Sequence, residues 1–345
     1  MTIRFATPEE ISRWDEHILA NPDKGNVFQS HELAQQKKLG GWTPRYIMAD
    51  TLAITILEKS FLGYKLWYLP KGPGIRSMRE LGSLLPTLKT FAGAHHVFAL
   101  KIEPELLKTD ETLADFRNSG LLRVRPIQPN ASTVLVDISE DLETVMAHLN
   151  QKGRHAIHRA ERDGVTVRQV ASNDKNCRTM YDLLAETAAG SFSIRDFDYY
   201  KTFWQRFEKA GYGQLFFAYV DGKVVAGAYA FVFGTKSTYK DGASVRERTA
   251  YGASHLLQWK VIEWAKSHGS VVHDLCGAPP SDQINNPDHP HYGIGRFKTS
   301  FNKTVTDYVG CYDLAVNPGV YKLWAKIGER FVLRLHRLLH RENWY

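Results

Sequence analysis

Residues 216–234 read FFAYVDGKVVAGAYAFVFG, two apolar runs on either side of Asp221-Gly222. Extended apolar runs around an Asp-Gly turn predict a β-hairpin. KSTYKDGAS continues with another strand that ends near Gly242. In RERTAYGASHLLQWKVIEWAKSHG, Leu256, Leu257, Val261, Ile262 and Ala265 recur at helical spacing, and Gly269 follows as a C-cap. SVVHDLCG then reads as a short buried strand. Toward the N-terminus, residues 44–59 and 64–75 predict strands, 78–93 a helix and 96–104 a further strand. Residues 145–167 predict one basic helix closed by Gly164. The last segment, from 319 onward, predicts a basic amphipathic helix.

Charge changes this picture more than composition does. Apolar residues make up 43% and charged residues 23% of the 345, an ordinary globular balance, and the length suffices for two domains. The formal net charge of +7 favours polyanionic partners: nucleic acid, phosphorylated metabolites or an anionic membrane surface. A merely soluble basic surface is the plain alternative. Cys177, Cys276 and Cys311 are far apart and lack C-x-x-C spacing, which argues against a zinc site or a disulfide framework and fits a reducing compartment. The opening MTIRFATPEEISRWDEH has no signal-peptide apolar core, and no run could span a bilayer. The expectation is a cytoplasmic protein.

The order hairpin, strand, glycine turn, helix, strand resembles the Gcn5-related N-acetyltransferase (GNAT) fold. The N-terminal half is a weaker echo of it, with no repeat visible residue by residue. In that fold the glycine turn cradles a pyrophosphate with backbone N–H groups. The nearest match here, Arg248-Thr249-Ala250-Tyr251-Gly252-Ala253, sets Tyr251 where the pattern Q/R-x-x-G-x-G/A has its first glycine. That bulk leaves less room for coenzyme A, so the expectation is an acyltransferase fold that no longer uses it.

Six stretches in order resemble the Fem family, whose members transfer amino acids from aminoacyl-tRNA onto the stem peptide of peptidoglycan precursors. They are VFQSHELAQQKKLGGW, WYLPKGPGI, QKGRHAIHRAERDGV, FSIRDFDYY, YKDGAS with LLQWKVIEWAKSHG, and DLCG with HPHYGIGRFKTSFN. The resemblance implies an α/β fold of two GNAT-like domains, with mixed central sheets flanked by helices. No sustained heptads are present, so the form is the compact one without a coiled-coil arm. It implies that the C-terminal helix returns to the first domain, giving residues 1–146 with 318–345 as one domain and 147–317 as the other. It implies an aminoacyltransferase building the interpeptide bridge, acting on a stem-peptide amine, with the side-chain amine of the third residue as the acceptor. No cofactor is expected. The expected partners are aminoacyl-tRNA and either UDP-MurNAc-pentapeptide or lipid II, met by a monomer with peripheral contact at the inner membrane face.

Site residues follow from the resemblance and from side-chain chemistry. Counting from the Gln-Ser pair selects Lys37 as a contact of the precursor's phosphates, against the alternative of a solvated helix face. Arg195 and Tyr199, four apart in FSIRDFDYY, would share a helix face and grip the diphosphate; the alternative is an ordinary helix start with Asp196 paired locally. Tyr239 and Tyr292 join this substrate-binding set. Glu103 stands where the family often has aspartate and would orient the acceptor amine or accept its proton; alternatively Glu103 and Glu105 only flank a strand end. Lys298 would stabilise the oxyanion of the tetrahedral intermediate or bind the tRNA's terminal phosphates. Phe297 would supply an apolar wall or a stacking surface for the terminal adenine, and Gly293 and Gly295 a sharp backbone turn. Lys152, Arg154, Arg159 and Arg162 would meet RNA phosphates, against a merely solvated basic helix. A metal at His155 and His158 is disfavoured by the cations around it. Cys276 reads as core packing within its strand, and no G-x-S-x-G elbow is present.

The C-terminal segment combines Lys322, Lys326, Arg330, Arg334, Arg337 and Arg341 with an apolar stripe of Leu323, Trp324, Ile327, Phe331, Leu335, Leu338 and Leu339, against Glu329 and Glu342. The stripe predicts packing on the first domain; an anionic membrane is the alternative cover. Two rival functions stand beside the transferase: a coenzyme-A-dependent N-acyltransferase and a non-catalytic protein binding RNA or a membrane surface. Tyr251 speaks against the first, and the second leaves Arg296-Phe297-Lys298 unexplained.

Overall fold

The computed structural model describes residues 1–128, 131–189, 193–247, 251–340 and 344–345. Arg248, Thr249 and Ala250 of the glycine-turn motif, Phe192 of FSIRDFDYY, and Arg341 and Glu342 of the C-terminal segment lie outside the described residues. The chain folds as two compact units, Met1–Ala131 with Tyr308–Tyr345, and Ser132–Asp307. They part at 131/132 and 307/308 rather than at 146/147 and 317/318. The reason is strand pairing: Leu135–Asp137 joins the sheet of the second unit, and Cys311–Ala315 that of the first.

In the first unit, α1 (His31–Lys37) falls in the chain between the first and second strands of a seven-stranded sheet. Its order is β1 (Ile3–Phe5), β2 (Thr43–Ala49), β3 (Leu52–Phe61), β4 (Tyr64–Leu69), β5 (Val97–Ile102), the strand Cys311–Ala315, and β6 (Leu122–Val124). β2, β3 and β4 are antiparallel neighbours, whereas β4 and β5 run parallel. A parallel pair needs a crossover, and α2 (Met78–Ala94) provides it. Ser77 caps α2 by accepting from the Glu80 N–H, and Leu81, Leu84, Leu88 and Ala92 turn one helix face into the core. A second apolar cluster sets Tyr321, Trp324, Val332 and Trp344 on Leu66, Phe98 and Ala99. The C-terminal segment that supplies them is not one uninterrupted helix. It comprises Pro318–Leu323, a π-helical turn at Trp324–Gly328, and Glu329–His340.

The second unit has a six-stranded sheet of β7 (Leu135–Asp137), β8 (Thr166–Val170), β9 (Gly213–Val220), β10 (Lys223–Phe233), β11 (Lys236–Ser244) and β12 (Val272–Asp274), in the order β7-β12-β11-β10-β9-β8. The β9–β10 hairpin turns at Asp221 and Gly222, both at positive φ, as the Asp-Gly signal requires. Both faces of this hairpin are buried. Phe216, Ala228 and Ala230 belong to the cluster with Leu257 and Ile262, while the Tyr229 ring meets Phe203, and the Phe231 ring meets Phe203 and Phe207, at tilted or edge-on angles. Burial on both sides explains the unbroken apolar runs.

Among the described residues six α-helices complete the unit: α3 (Leu142–His148), α4 (Gln151–Arg162), α5 (Asp174–Ala188), α6 (Phe197–Lys209), α7 (Ala253–Ser267) and α8 (Tyr292–Lys298). The predicted single basic helix is therefore two. Leu149 turns extended and Asn150 starts α4 anew, its side chain accepting from the Lys152 N–H. The longest helices of the unit, α5 and α7, have 15 residues, and no coiled-coil arm occurs among its described residues.

The repeat invisible in the residues is plain in the connections. Each unit has an antiparallel meander, then a helix, then a parallel strand: β2-β3-β4-α2-β5 in the first, β9-β10-β11-α7-β12 in the second. Each also pairs its parallel strand with an antiparallel one from a distant segment, Cys311–Ala315 on β5 and β7 on β12. This is the order expected of a GNAT-like unit, present twice.

Candidate functional site

The stretch around Lys298 is a helix, not a glycine turn. α8 spans Tyr292–Lys298, and neither Gly293 nor Gly295 has positive φ. Gly295 serves close packing instead, since a β-carbon there would lie 2.8 Å from Pro279 and Ile284. The Lys298 side chain is buried, 8% exposed. Its Nζ donates to the main-chain oxygens of Cys276 and of Gly277, the latter at 2.7 Å. Cys276 is thus not part of a strand. β12 ends at Asp274, whose Oδ1 accepts the Cys276 N–H at 2.7 Å, and Cys276 itself sits at φ +54°. Burial pushes the Lys298 ammonium's pKa down, with Cys276 and Asp274 opposing. Two of its three N–H groups hold the 276–277 turn, so Lys298 is a desolvated, oriented ammonium rather than a mobile surface charge.

Its neighbour Phe297 lines a cleft of about 440 Å³ in the second unit. The first turn of α7 forms one wall with Tyr251, Gly252 and Ser254, and Lys152 and Arg296 bring positive charge against the carboxylate of Glu247. The Phe297 ring stands edge-on to His255 at 4.9 Å, and His255 stacks on Phe301 at 5.8 Å. Burial, reinforced by Lys152, pulls the His255 imidazole down to about 4, so it is neutral at pH 7. Its buried Nε2 has no hydrogen-bond partner among the described residues. The sequence reading passed over His255 because nothing local distinguishes it from a core histidine.

Close contacts explain two glycines at this cleft. A β-carbon on Gly252, at φ +81°, would meet the Ala156 carbonyl oxygen at 2.1 Å, and one on Gly153 would meet the Ser300 oxygen at 2.2 Å. Thus α4 is pressed against both the start of α7 and the end of α8. Of the four expected RNA contacts, Lys152 lines the cleft, and the Arg159 guanidinium lies 5.0 Å above the Tyr251 ring. Arg162 is exposed beyond them. Arg154 turns back instead, donating to the oxygens of Ala147 (2.7 Å) and Leu149 at the end of α3. Among the described residues no cluster of three His, Cys, Asp or Glu could hold a metal.

Arg195 and Tyr199 do meet, but not as neighbours on a helix face. Asp196 is the N-cap of α6, accepting from the Tyr199 N–H at 2.8 Å, so Arg195 lies just before the helix. Its guanidinium sits 4.6 Å over the Tyr199 ring. The β10–β11 ladder has a bulge between Tyr229 and Ala230, and Lys240 and Asp241 lie near Tyr199. Asp241 accepts from Lys240 Nζ at 2.9 Å and from Trp204 Nε1 at 3.0 Å. Burial alone would lower the Lys240 ammonium, but Asp241 and Tyr200 outweigh it and hold it above its usual range. Burial raises the Tyr199 hydroxyl, and Tyr200 is pushed up to about 12. Lys240, Asp241 and Tyr200 were missed in the sequence because a bulge cannot be counted from the residues. Tyr239, expected at the substrate, faces the other way: it packs on the core, its hydroxyl filling the space where Gly242 lacks a side chain. Tyr292 opens α8 with the Arg296 guanidinium 5.7 Å from its ring.

Lys37 and Glu103 belong to the first unit. Lys37 is the half-buried last residue of α1, which Ser30 caps by accepting from the Leu33 N–H. The preceding Gln29 bridges two motifs, donating to the Pro70 oxygen at 2.7 Å and accepting the Thr55 N–H at 2.8 Å. Gly72 of PKGPG is needed there, because a β-carbon would fall 2.7 Å from Gln29 Nε2. Glu103 is buried, 5% exposed. It accepts the N–H groups of Ile127 (2.5 Å) and Gln128 (3.2 Å), and the Tyr68 hydroxyl. That carboxylate is engaged in holding residues 127–128.

Comparison with known proteins agrees with the fold. The lipid II:glycine glycyltransferase of Staphylococcus aureus (strain MRSA252) is 22% identical over an alignment 417 positions long, gaps included, covering 95% of this chain and 97% of that protein. The crystal structure of FemX superposes with a TM-score of 0.80 at 21% identity, over 94% of this chain and 99% of that one. L-PGS from Bacillus licheniformis shares the fold at a TM-score of 0.53 and 12% identity, over 93% and 96% of the two chains. The FemAB family model matches residues 123–224 and 217–328. The chain belongs to the FemAB family.

Proposed function

We propose that this aminoacyltransferase of peptidoglycan bridge synthesis draws its amino acid from an aminoacyl-tRNA ester. The acceptor is the side-chain amine of the third stem-peptide residue on a lipid-linked precursor. The observation that carries the reading is the Phe297–Lys298 pair: an aromatic ring lining a cationic cleft, followed at once by an ammonium anchored to two main-chain oxygens. A 3′-terminal nucleoside suits such a cleft. Its base stacks on Phe297, its phosphates meet Lys152 and Arg296, and the His255 Nε2 accepts one of its hydroxyl protons.

In the transfer, the acceptor nitrogen attacks the ester carbonyl carbon, and the carbonyl oxygen takes up negative charge. The third N–H of Lys298 stabilises that oxygen at little reorganisation cost, since the other two are already fixed. The carbon–oxygen bond to the ribose then breaks, and the proton lost by the amine ends on the ribose oxygen. No covalent enzyme intermediate is needed. Arg195 and Tyr199 of the second unit contact the precursor's phosphates, with Lys240 near Tyr199 adding charge; Lys37 of the first unit is a phosphate contact in its own right. Glu103 positions the 127–128 segment.

The test is transfer of a labelled amino acid from charged total tRNA to lipid II, with each component omitted in turn and coenzyme A thioester offered as an alternative donor. Product that requires both tRNA and precursor supports the reading. Product formed from the thioester without tRNA would replace it with the coenzyme-A reading.

A further inference from the structure

The C-terminal helix is only half covered. Trp324 and Val332 are buried in the first unit, yet Leu323, Ile327, Phe331, Leu338 and Leu339 are 57–72% exposed and Leu335 is 40% exposed. At spacings of three and four they form a second apolar face, turned away from the seam that packs. Large contiguous apolar surface of this kind marks an interaction site.

The charges around that face say what covers it. Lys322, Lys326, Arg330, Arg334 and Arg337 are all exposed, each one position before an apolar residue of the face. Glu329 is the one acid between Pro318 and His340, and it is turned inward. It accepts the Tyr345 hydroxyl, and its carboxylate lies 3.8 Å from the buried Lys101. The exposed arc therefore offers aliphatic and aromatic side chains edged by cations, with no acid on it among the described residues of this segment. At the near end, the Phe61 ring packs 5.8 Å from Trp324, and the next residue, Leu62 at the β3–β4 turn, is 81% exposed.

We propose that this helix docks the first unit on an anionic lipid surface. The apolar face enters the boundary of the acyl chains, and the Lys/Arg row meets lipid phosphates. A second copy of the chain fits less well, because two such helices face to face would bring cation rows together without a counter-charge. RNA would satisfy the cations but leave the leucines in water. Docking here places the enzyme at the surface that carries a lipid-linked acceptor and to that extent rests on the proposed function, although vesicle binding itself requires no acceptor.

The test is sedimentation of the full chain with vesicles of phosphatidylglycerol and phosphatidylcholine, and with phosphatidylcholine alone. Binding to the anionic vesicles, weakened by salt and by omission of phosphatidylglycerol, is expected. Leu338→Glu with Leu339→Glu, and separately Arg334→Glu with Arg337→Glu, should each reduce it by about tenfold or more. Both pairs are exposed, so thermal unfolding should be unchanged, and so should transfer to a water-soluble precursor lacking the lipid. Absence of vesicle binding by the wild-type chain, or equal binding by the variants, overturns the proposal. So does a concentration-dependent dimer that the leucine variant abolishes while vesicle binding persists. Loss of soluble-precursor transfer by wild type would instead strike the functional reading and leave the dock standing.

Discussion

Gly252, before α7, and Ala156, in α4, touch backbone to backbone: a β-carbon on Gly252 would lie 2.1 Å from the Ala156 oxygen. Gly252 also sits at φ +81°. Gly252→Ala therefore combines the ~1–3 kcal/mol of a left-handed non-glycine residue with a backbone collision that nothing nearby can relieve. Gly164→Ala is the comparison, since Gly164 has φ +79° but open space around it. Denaturant midpoints should fall in both, and clearly further for Gly252→Ala. Equal losses would mean that α4 moves aside easily.

Lys298→Met keeps the stem and removes the charge. Turnover should fall ~100-fold or more, as on loss of an oxyanion-stabilising group. Stability should also fall by ~1–3 kcal/mol, because the Cys276 and Gly277 oxygens lose their donor. Precursor affinity should hardly change. Turnover within a fewfold of wild type, in a variant shown to be folded, would reduce Lys298 to a structural tie.

Arg195→Ala and Lys37→Ala should each weaken precursor binding by ~1.5–3 kcal/mol, the range of a charge-assisted hydrogen bond. Calorimetric titration with a precursor fragment that lacks the diphosphate should show no difference from wild type. A comparable loss with that fragment would place the two residues elsewhere in recognition.

Acid should destabilise the second unit through two imidazoles. Burial lowers His255 to about 4 and His273 to about 3, against about 6.5 unfolded. Both are neutral in the fold, so the unfolded chain binds their protons first as pH falls. Their stabilising contribution is full above about pH 6.5 and is lost toward pH 4 for His255 and pH 3 for His273, at up to ~1.4 kcal/mol per pH unit for each. In urea titrations across this range, His255→Phe should flatten the decline. An unchanged slope would show that His255 does not titrate as a buried group.

The parts legible in the sequence were those set by local chemistry. The β9–β10 hairpin announced itself through Asp221-Gly222, α7 through its apolar spacing, and its end through Gly269 at φ +87°. What escaped depended on distant partners. Gly295 looked like a turn residue, but it is small because Pro279 and Ile284 press on it. Tyr239 looked like a ligand contact until the bulge at Lys240 decided which residues face the core. The C-terminal stripe was read as one surface, whereas the π-helical turn and the buried Trp324 divide it into a packed seam and an open face. Lys298 and Phe297 were found through a family resemblance; the 276–277 turn that holds Lys298 was not.

The strand Cys311–Ala315 lies between β5 and β6, inside the sheet of the first unit, although it follows the whole second unit in the chain. On the ribosome this orders events. Ser132–Asp307 is continuous and can close as soon as it has emerged. Until residue 315 emerges, the first unit has β5 and β6 facing an empty slot, with both strands' hydrogen-bonding edges open. The N-terminal segment is thus made first and finished last. Released chains truncated between 307 and 311 should show a protease-resistant second unit and a labile first one, and a resistant first unit in such chains would refute that order.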